Sequence, residues 1–398
     1  MRGTASVLLL LLLLAAAVPT HAQSLTIHVV YPLSAHESLS VRGDGVGLRW
    51  DADTPLHRDP DGRTSSLTLN IPQGKTGEIL SFKATLGVSD SSPSMLWEIG
   101  ANHQVTLPGN DTTISIFPWF RHQKGTLEVL HNVYSPQLQN SRSIITYLPP
   151  SYLENTWKVY KDVLVMHDGQ NLFDPATAFL GQAWMCQDTV NPLITQGSMR
   201  EILIVGVYNT EDRIDEYTYS YDPTEKAGGK GNEYLDFLEE QILPLIRSKY
   251  RIAPQAEFGI LGSSLGGLIS CYAGWTRTSF VKAGCMSSSF WWNNQDFNST
   301  VMETGPKLPG IKTYLDSGNQ GPGQDDLLET ITVRDHMEEY GLRLGQDLFY
   351  YLDKGGQHSE QYWRERFWVP MTDLYPPYED AEMNHHLLEE HHPGRHGE

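Results

Sequence analysis

The sequence predicts an α/β fold with a mostly parallel sheet, preceded by an all-β antiparallel sandwich, and three observations predict it. From about residue 126 onward, short apolar runs alternate with helical patterns. Before about residue 122 there are only short alternating stretches separated by turn clusters. Between two such α/β segments stands Gly262-Ser263-Ser264-Leu265-Gly266, a Gly-x-Ser-x-Gly motif.

In the first part, Ser24–Tyr31, Ser66–Ile71, Ile79–Leu86 and Thr113–Phe117 read as strands. Asp59-Pro60-Asp61-Gly62 and Pro72-Gln73-Gly74 punctuate them as turns. No helical periodicity intervenes, which argues for a sandwich over residues 23–122. In the second part, residues 126–375, the apolar runs are Ser143–Leu148, Val163–Met166, Ile202–Tyr208, Phe258–Leu261, Ile311–Leu315 and Leu348–Leu352. Several are apolar almost throughout, as strands buried on both faces require. The pattern over Glu233–Lys249 predicts a helix, kinked at Pro244, and Thr332–Leu344 predicts another. Such alternation implies a parallel sheet covered on both sides, with the boundary near Trp119–Lys124.

The ends of the chain read differently. Arg2, the apolar run Val7–Val18 and Thr20-His21-Ala22 predict a signal peptide over residues 1–22, cleaved after Ala22. A run this short does not cross a bilayer core of roughly 30 Å, so no membrane association is expected after cleavage. Residues 376–398 read as a disordered acidic tail that carries His385, His386, His391, His392 and His396. Asn110-Asp111-Thr112 and Asn298-Ser299-Thr300 are glycosylation sequons suited to a secreted, extracellular protein. The chain has 398 residues and a net charge of −19, which disfavours binding to nucleic acid. Three cysteines, Cys186, Cys271 and Cys285, allow one bridge at most and lack the spacing of a zinc site.

The chemistry follows from the glycine-flanked serine. A nucleophile at the tip of a tight strand-to-helix turn needs small neighbours, and Gly262 and Gly266 supply them. The Leu265 N–H then faces a developing oxyanion. Ser264 needs a base, and His358 lies in Asp353-Lys354-Gly355-Gly356-Gln357-His358, directly after the last apolar run. The acid should follow the preceding run; Asp325 is favoured there, then Asp326, then Asp316. Val163–Met166 runs into His167-Asp168-Gly169-Gln170, whose Gln170 N–H is the candidate second oxyanion donor. Such acyl transfer to water uses no metal and no organic cofactor.

With these residues placed, the chain from about 126 to 375 resembles the esterase D-like family of α/β-hydrolases. That family includes feruloyl esterases, enterochelin esterase-like enzymes and S-formylglutathione hydrolases. Its stretches match Met166–Asn171, Asn209–Arg213 with Glu216-Tyr217-Thr218, Gly228–Gly231, Gly262–Gly267 and Gly356–Glu360. The resemblance implies Ser264 as nucleophile, His358 as base and an acid in the 316–326 loop. In relatives whose loop reads Asp-Ser-Gly, Gly-Pro and a later Asp, the match falls on Asp325. Arg213 and Glu216 are read as a structural ion pair, with pocket lining as the alternative.

The first part resembles starch-binding modules of carbohydrate-binding family 20. The residues that carry this are Val41–Asp44, Gly47–Trp50, Phe82-Lys83 and Trp97–Asn102, with His103 where such modules carry Arg. A Trp face stacks on sugar rings, so Trp97 and Asn102 are the candidate glycan platform. The expectation is therefore a serine esterase acting on a small-molecule or polysaccharide ester, carbohydrate-linked or phenolic. One alternative is an esterase for another acyl compound, such as a siderophore-type ester, with a structural sandwich. Another is a non-catalytic glycan-binding protein.

Overall fold

The computed structural model describes residues 23–60, 62–89 and 94–378. The expected signal peptide and the histidine-bearing tail lie outside these residues, apart from 376–378.

The first part forms two sheets. One contains β1 (Gln23–Val30), β3 (Thr64–Ile71) and β7 (Thr112–Ile116), with the short pair His57–Arg58 at its edge. The other contains β2 (Glu37–Asp44), β4 (Ile79–Val88), β5 (Ser94–Trp97) and β6 (His103–Thr106), edged by Thr54–Pro55. Alternation drives the packing: Leu25, Ile27 and Val29 of β1 point inward and meet Val41, Phe82 and Ala84 of the facing sheet. One expectation needs correcting, because these sheets are not wholly antiparallel. β1 pairs with β7 in parallel, Leu25 against Thr112 through Val29 against Ile116. The chain reaches β7 only after traversing the other sheet, and such a crossing connection can return in either direction. Side-chain alternation, being the same for both directions, carried no sign of it.

The second part is one eight-stranded sheet. Its strands are β8 (Thr126–Ser135), β9 (Asn140–Leu148), β10 (Tyr160–Met166), β11 (Leu203–Val207), β12 (Ile252–Ser263), β13 (Lys282–Met286), β14 (Lys312–Ser317) and β15 (Leu348–Leu352). They lie in the order β8-β9-β11-β10-β12-β13-β14-β15, with β9 antiparallel to both neighbours and the rest parallel. This is the α/β-hydrolase arrangement. Within β10, Val163 and Val165 enter the core on one face, Leu164 and Met166 the core on the other.

Helices fill both faces. On one side lie α2 (Gly231–Phe237), α3 (Leu243–Lys249), α4 (Leu265–Thr276) and α5 (Leu327–Glu339); on the other lie α1 (Cys186–Thr195), α6 (Glu360–Arg366) and α7 (Trp368–Leu374). α4 is buried from Leu265 to Trp275 on almost every side, as its apolar composition all round demands. Between α2 and α3 the helix widens into a π turn over Leu238–Ile242. Pro244 stands two residues after this π turn, so the break expected at the proline is taken up as a local widening of a helix that continues into α3. Cys271 of α4 and Cys285 of β13 form a disulfide, and Cys186 is a buried free thiol.

The two parts are joined tightly. Glu154, after β9, accepts hydrogen bonds from the Phe120, Arg121 and His122 amides at 2.6, 2.9 and 3.1 Å, and from the Tyr31 hydroxyl at 3.0 Å. Buried Asn155 donates from Nδ2 to the carbonyls of Val30 and Pro118, each at 2.9 Å. The linker is thus pinned on both sides.

Candidate active site

The loops at the carboxyl ends of the parallel strands build the site, as open α/β sheets dictate. Ser264 occupies the turn between β12 and α4 with φ 61° and ψ −127°. A non-glycine residue there carries strain of about 1–3 kcal/mol, tolerated only where the surroundings over-determine it. They do: Ser264 N–H donates to Met286 O at 3.1 Å, and Ser264 O accepts from the amides of Leu268 at 3.0 Å and Ser289 at 3.1 Å.

The flanking glycines are sterically required. A Cβ at Gly262 would stand 2.7 Å from the Gly266 carbonyl, and one at Gly267 would stand 2.4 Å from Ser288 Oγ. The space around Gly266 is bounded by His167 and Asp168, so the loop after β10 lies directly against the serine turn. Gln170 sits within the 3₁₀ turn Gly169–Asn171, held through its carbonyl by the Thr177 hydroxyl at 2.7 Å and through Oε1 by the Asn209 amide at 3.2 Å. The Leu265 and Gln170 amides both stand at the start of helical turns, where no residue of the same turn can accept from them.

His358 follows β15 with its ring exposed, edge-on to Trp363, and its Nδ1 lies 2.7 Å from Asp325 Oδ1. Asp325 lies in a left-handed run, Gly323 to Asp326, that turns its carboxylate inward to full burial. Its Oδ2 accepts from the Ser287 hydroxyl at 2.6 Å and the Gly318 amide at 2.5 Å. Burial alone would raise the pKa of Asp325; the hydrogen bonds from His358, Ser287 and Gly318 hold it below the usual carboxylate range.

The other two candidate acids do not reach the imidazole. Asp326 is pushed up to about 7 by burial and by neighbouring Glu329, and it accepts from the Trp291 amide. Asp316, also raised by burial, is bound to Arg366 at 2.9 Å and to the Tyr314 hydroxyl at 2.9 Å.

Ser264 and the Asp325–His358 pair are connected through three consecutive serines that no sequence motif marks. Ser289 Oγ lies 3.3 Å from Ser264 Oγ, and Ser287, two residues earlier, bonds Asp325. The run follows β13, a strand of only five residues, Lys-Ala-Gly-Cys-Met, too mixed to signal itself. His358 makes no direct hydrogen bond to Ser264.

The expected Arg213–Glu216 pair is replaced by two others. Arg213 forks onto Asp168, with Nε to Oδ1 at 2.7 Å and Nη2 to Oδ2 at 2.9 Å. Glu216, fully buried, takes both terminal nitrogens of Arg142 at 2.7 and 2.8 Å. His167 is packed between Tyr217 and Tyr234, and burial lowers its pKa to about 3, so it remains neutral. Among the described residues no three His, Cys, Asp or Glu side chains converge as a metal site.

The two residues of the expected glycan platform have different neighbours. Trp97 is half-exposed under the Arg42 guanidinium, 5.2 Å from its ring, with Trp50 6.4 Å away. Asn102 instead lines a cleft of about 970 Å³ between the two parts, shared with Trp119, Lys158 and Tyr378, and Trp97 lies outside it. Alternation along a strand placed Trp97 outward, but the Ile99–Asn102 turn carried Asn102 elsewhere.

Residues 135–374 match the Esterase family. Among curated relatives, the uncharacterized protein YbbA of Bacillus subtilis (strain 168) is 28% identical over 249 residues, 59% of this chain and 93% of that protein. A siderophore triacetylfusarinine C esterase of Aspergillus fumigatus is 28% identical over 116 residues, 27% of this chain and 40% of that protein. Among solved structures, an IroE-like serine hydrolase from Shewanella oneidensis is 18% identical with a TM-score of 0.49, over 63% of this chain and 79% of that one.

Proposed function

The chain belongs to the Esterase family, and from that premise we propose that residues 126–375 hydrolyse carboxylic esters with Ser264 as nucleophile, His358 as base and Asp325 as acid. The observation that carries the reading is the Asp325–His358 hydrogen bond at 2.7 Å, tied to a strained Ser264 through Ser287–Ser289. Ser264 Oγ attacks the ester carbonyl as His358 Nε2 takes its proton. Asp325 holds Nδ1–H, fixing the tautomer and offsetting the imidazolium charge. The Leu265 and Gln170 amides donate to the oxyanion. His358 returns the proton to the departing alcohol, and water repeats the sequence on the acyl-enzyme to release the acid.

A fluorophosphonate probe tests the nucleophile directly, since attack on phosphorus expels fluoride and leaves a stable adduct. Mass spectrometry should find one adduct, on the peptide containing Ser264, and none in Ser264→Ala. Labelling that persists in Ser264→Ala would assign the nucleophile elsewhere.

Residues 23–122 are read as a β-sandwich that carries the enzyme to a glycan, making carbohydrate-linked or phenolic esters the leading substrates. The half-exposed Trp97, with Trp50 tilted beside it, supports this reading, since indole rings stack on sugar rings. On starch, glycogen and xylan beads, wild type should be retained on at least one and Trp97→Ala released from it. Equal behaviour of both proteins on all three beads removes the glycan role and favours a siderophore-type or other acyl ester. Export, with cleavage after Ala22, is supported by the apolar leader and by the Cys271–Cys285 bridge, which suits an oxidising compartment.

A further inference from the structure

We propose that Arg366 is a positioning residue for Asp325, acting through the hydroxyl of Ser287, whose hydrogen it aims at the carboxylate. The inference rests on the catalytic reading of Ser264, His358 and Asp325 given above.

Arg366 closes α6 and is 2% exposed. Its Nη2 donates to Ser287 Oγ at 2.5 Å and to Asp316 Oδ1 at 2.9 Å, and stands 3.5 Å from Asp325 Oδ2. Its Nη1 donates to Asp353 Oδ2 at 3.1 Å. One enclosed cation therefore faces three carboxylates: Asp316 from β14, Asp325 from the loop before α5, and Asp353 from the loop after β15. The remaining titratable groups in the cluster are Tyr314, whose hydroxyl donates to Asp316, and His358 on the far oxygen of Asp325.

A serine hydroxyl has one hydrogen and two lone pairs. Ser287 Oγ accepts from Arg366 Nη2 and from the indole Nε1 of Trp363 at 2.9 Å, so both lone pairs are engaged. Its hydrogen has one destination left, Asp325 Oδ2 at 2.6 Å. With the Gly318 amide on the same oxygen and His358 on the other, three donors favour the ionised form of Asp325. Arg366 and Trp363 lie three residues apart, on one face of α6. One helical turn thus orients the acid through Ser287 and also places an indole perpendicular to the imidazole of His358.

The test is the pH dependence of kcat/KM for ester hydrolysis in wild type, Arg366→Met, Arg366→Lys and Ser287→Ala, with Ser264→Ala alongside. Removing the cation, or the hydroxyl it orients, raises the proton affinity of Asp325 and of the imidazole bonded to it. Both shifts have the same sign, so the acid limb moves to higher pH, by on the order of one unit in Arg366→Met and less in Ser287→Ala. Arg366→Lys, which keeps the charge, should return part of the way. A purely structural role lowers the yield of folded enzyme or scales the rate equally at every pH. An unmoved acid limb in the folded variants overturns the proposal, and Ser287→Ala decides it alone if Arg366→Met does not fold. Turnover that survives in Ser264→Ala would instead remove the catalytic reading, a separate result of the same assay.

Discussion

Replacing Ser264 by alanine is expected to lower kcat on a chromogenic short-chain ester by about 10⁴-fold or more, with the folded protein otherwise unchanged. Alanine keeps the Cβ that already tolerates φ 61°, and the three backbone hydrogen bonds that impose this geometry do not involve the side chain. What disappears with the hydroxyl is its 3.3 Å approach to Ser289 Oγ. Thermal unfolding within a degree or two of wild type, together with loss of turnover, isolates the hydroxyl as the reacting group. Undiminished turnover in the folded variant would end the enzyme assignment.

Asp325→Asn should be nearly as damaging, about 10⁴-fold in kcat, for a reason readable from its hydrogen bonds. The Oδ2 position receives the Ser287 hydroxyl and the Gly318 amide, so an asparagine must place its carbonyl oxygen there. Its NH₂ is then directed at His358 Nδ1, which must accept instead of donate. That tautomer carries its proton on Nε2, where the serine proton has to go. Asp326→Asn serves as the control. Its carboxyl, raised to about 7, shares its surroundings with Glu329 and does not touch the imidazole, so kcat should stay close to wild type. A large loss in Asp326→Asn with none in Asp325→Asn would exchange their roles.

What the sequence disclosed of the site followed the range of the physics involved. The Gly262–Gly267 turn is legible because its requirement is local: a Cβ at Gly262 would strike Gly266 of the same turn, and one at Gly267 the end of the strand beside it. His358 is legible from order, since β15 is an uninterrupted apolar run and two glycines follow it. The choice of acid was open because three carboxylates fall between residues 316 and 326, and spacing does not say which is turned toward the imidazole. The left-handed backbone over Gly323–Asp326 sets the directions of Asp325 and Asp326, and three of its four residues are not glycine. Ser287 and Ser289 were invisible for a similar reason. β13 contains Lys282 and Gly284 among five residues, so no apolar run announces the turn that follows. Arg213 and Glu216 were paired on proximity, whereas their partners lie 45 and 74 residues away in the chain. The N-terminal sheets show the same division: β1 displays its alternation, whereas β2 turns only Leu39, Val41 and Gly43 to the core and carries no apolar run to mark it as a strand.

The grip of Glu154 and Asn155 on the linker bears on how the first part of the chain can serve the second. Three successive amides seated on one carboxylate leave no slack at that joint. The N-terminal sheets are thus held against the second part at this joint by hydrogen bonds on both sides of the linker. On the proposed reading, a polymeric ester held by the first part would be presented to Ser264 at a set offset from its point of attachment.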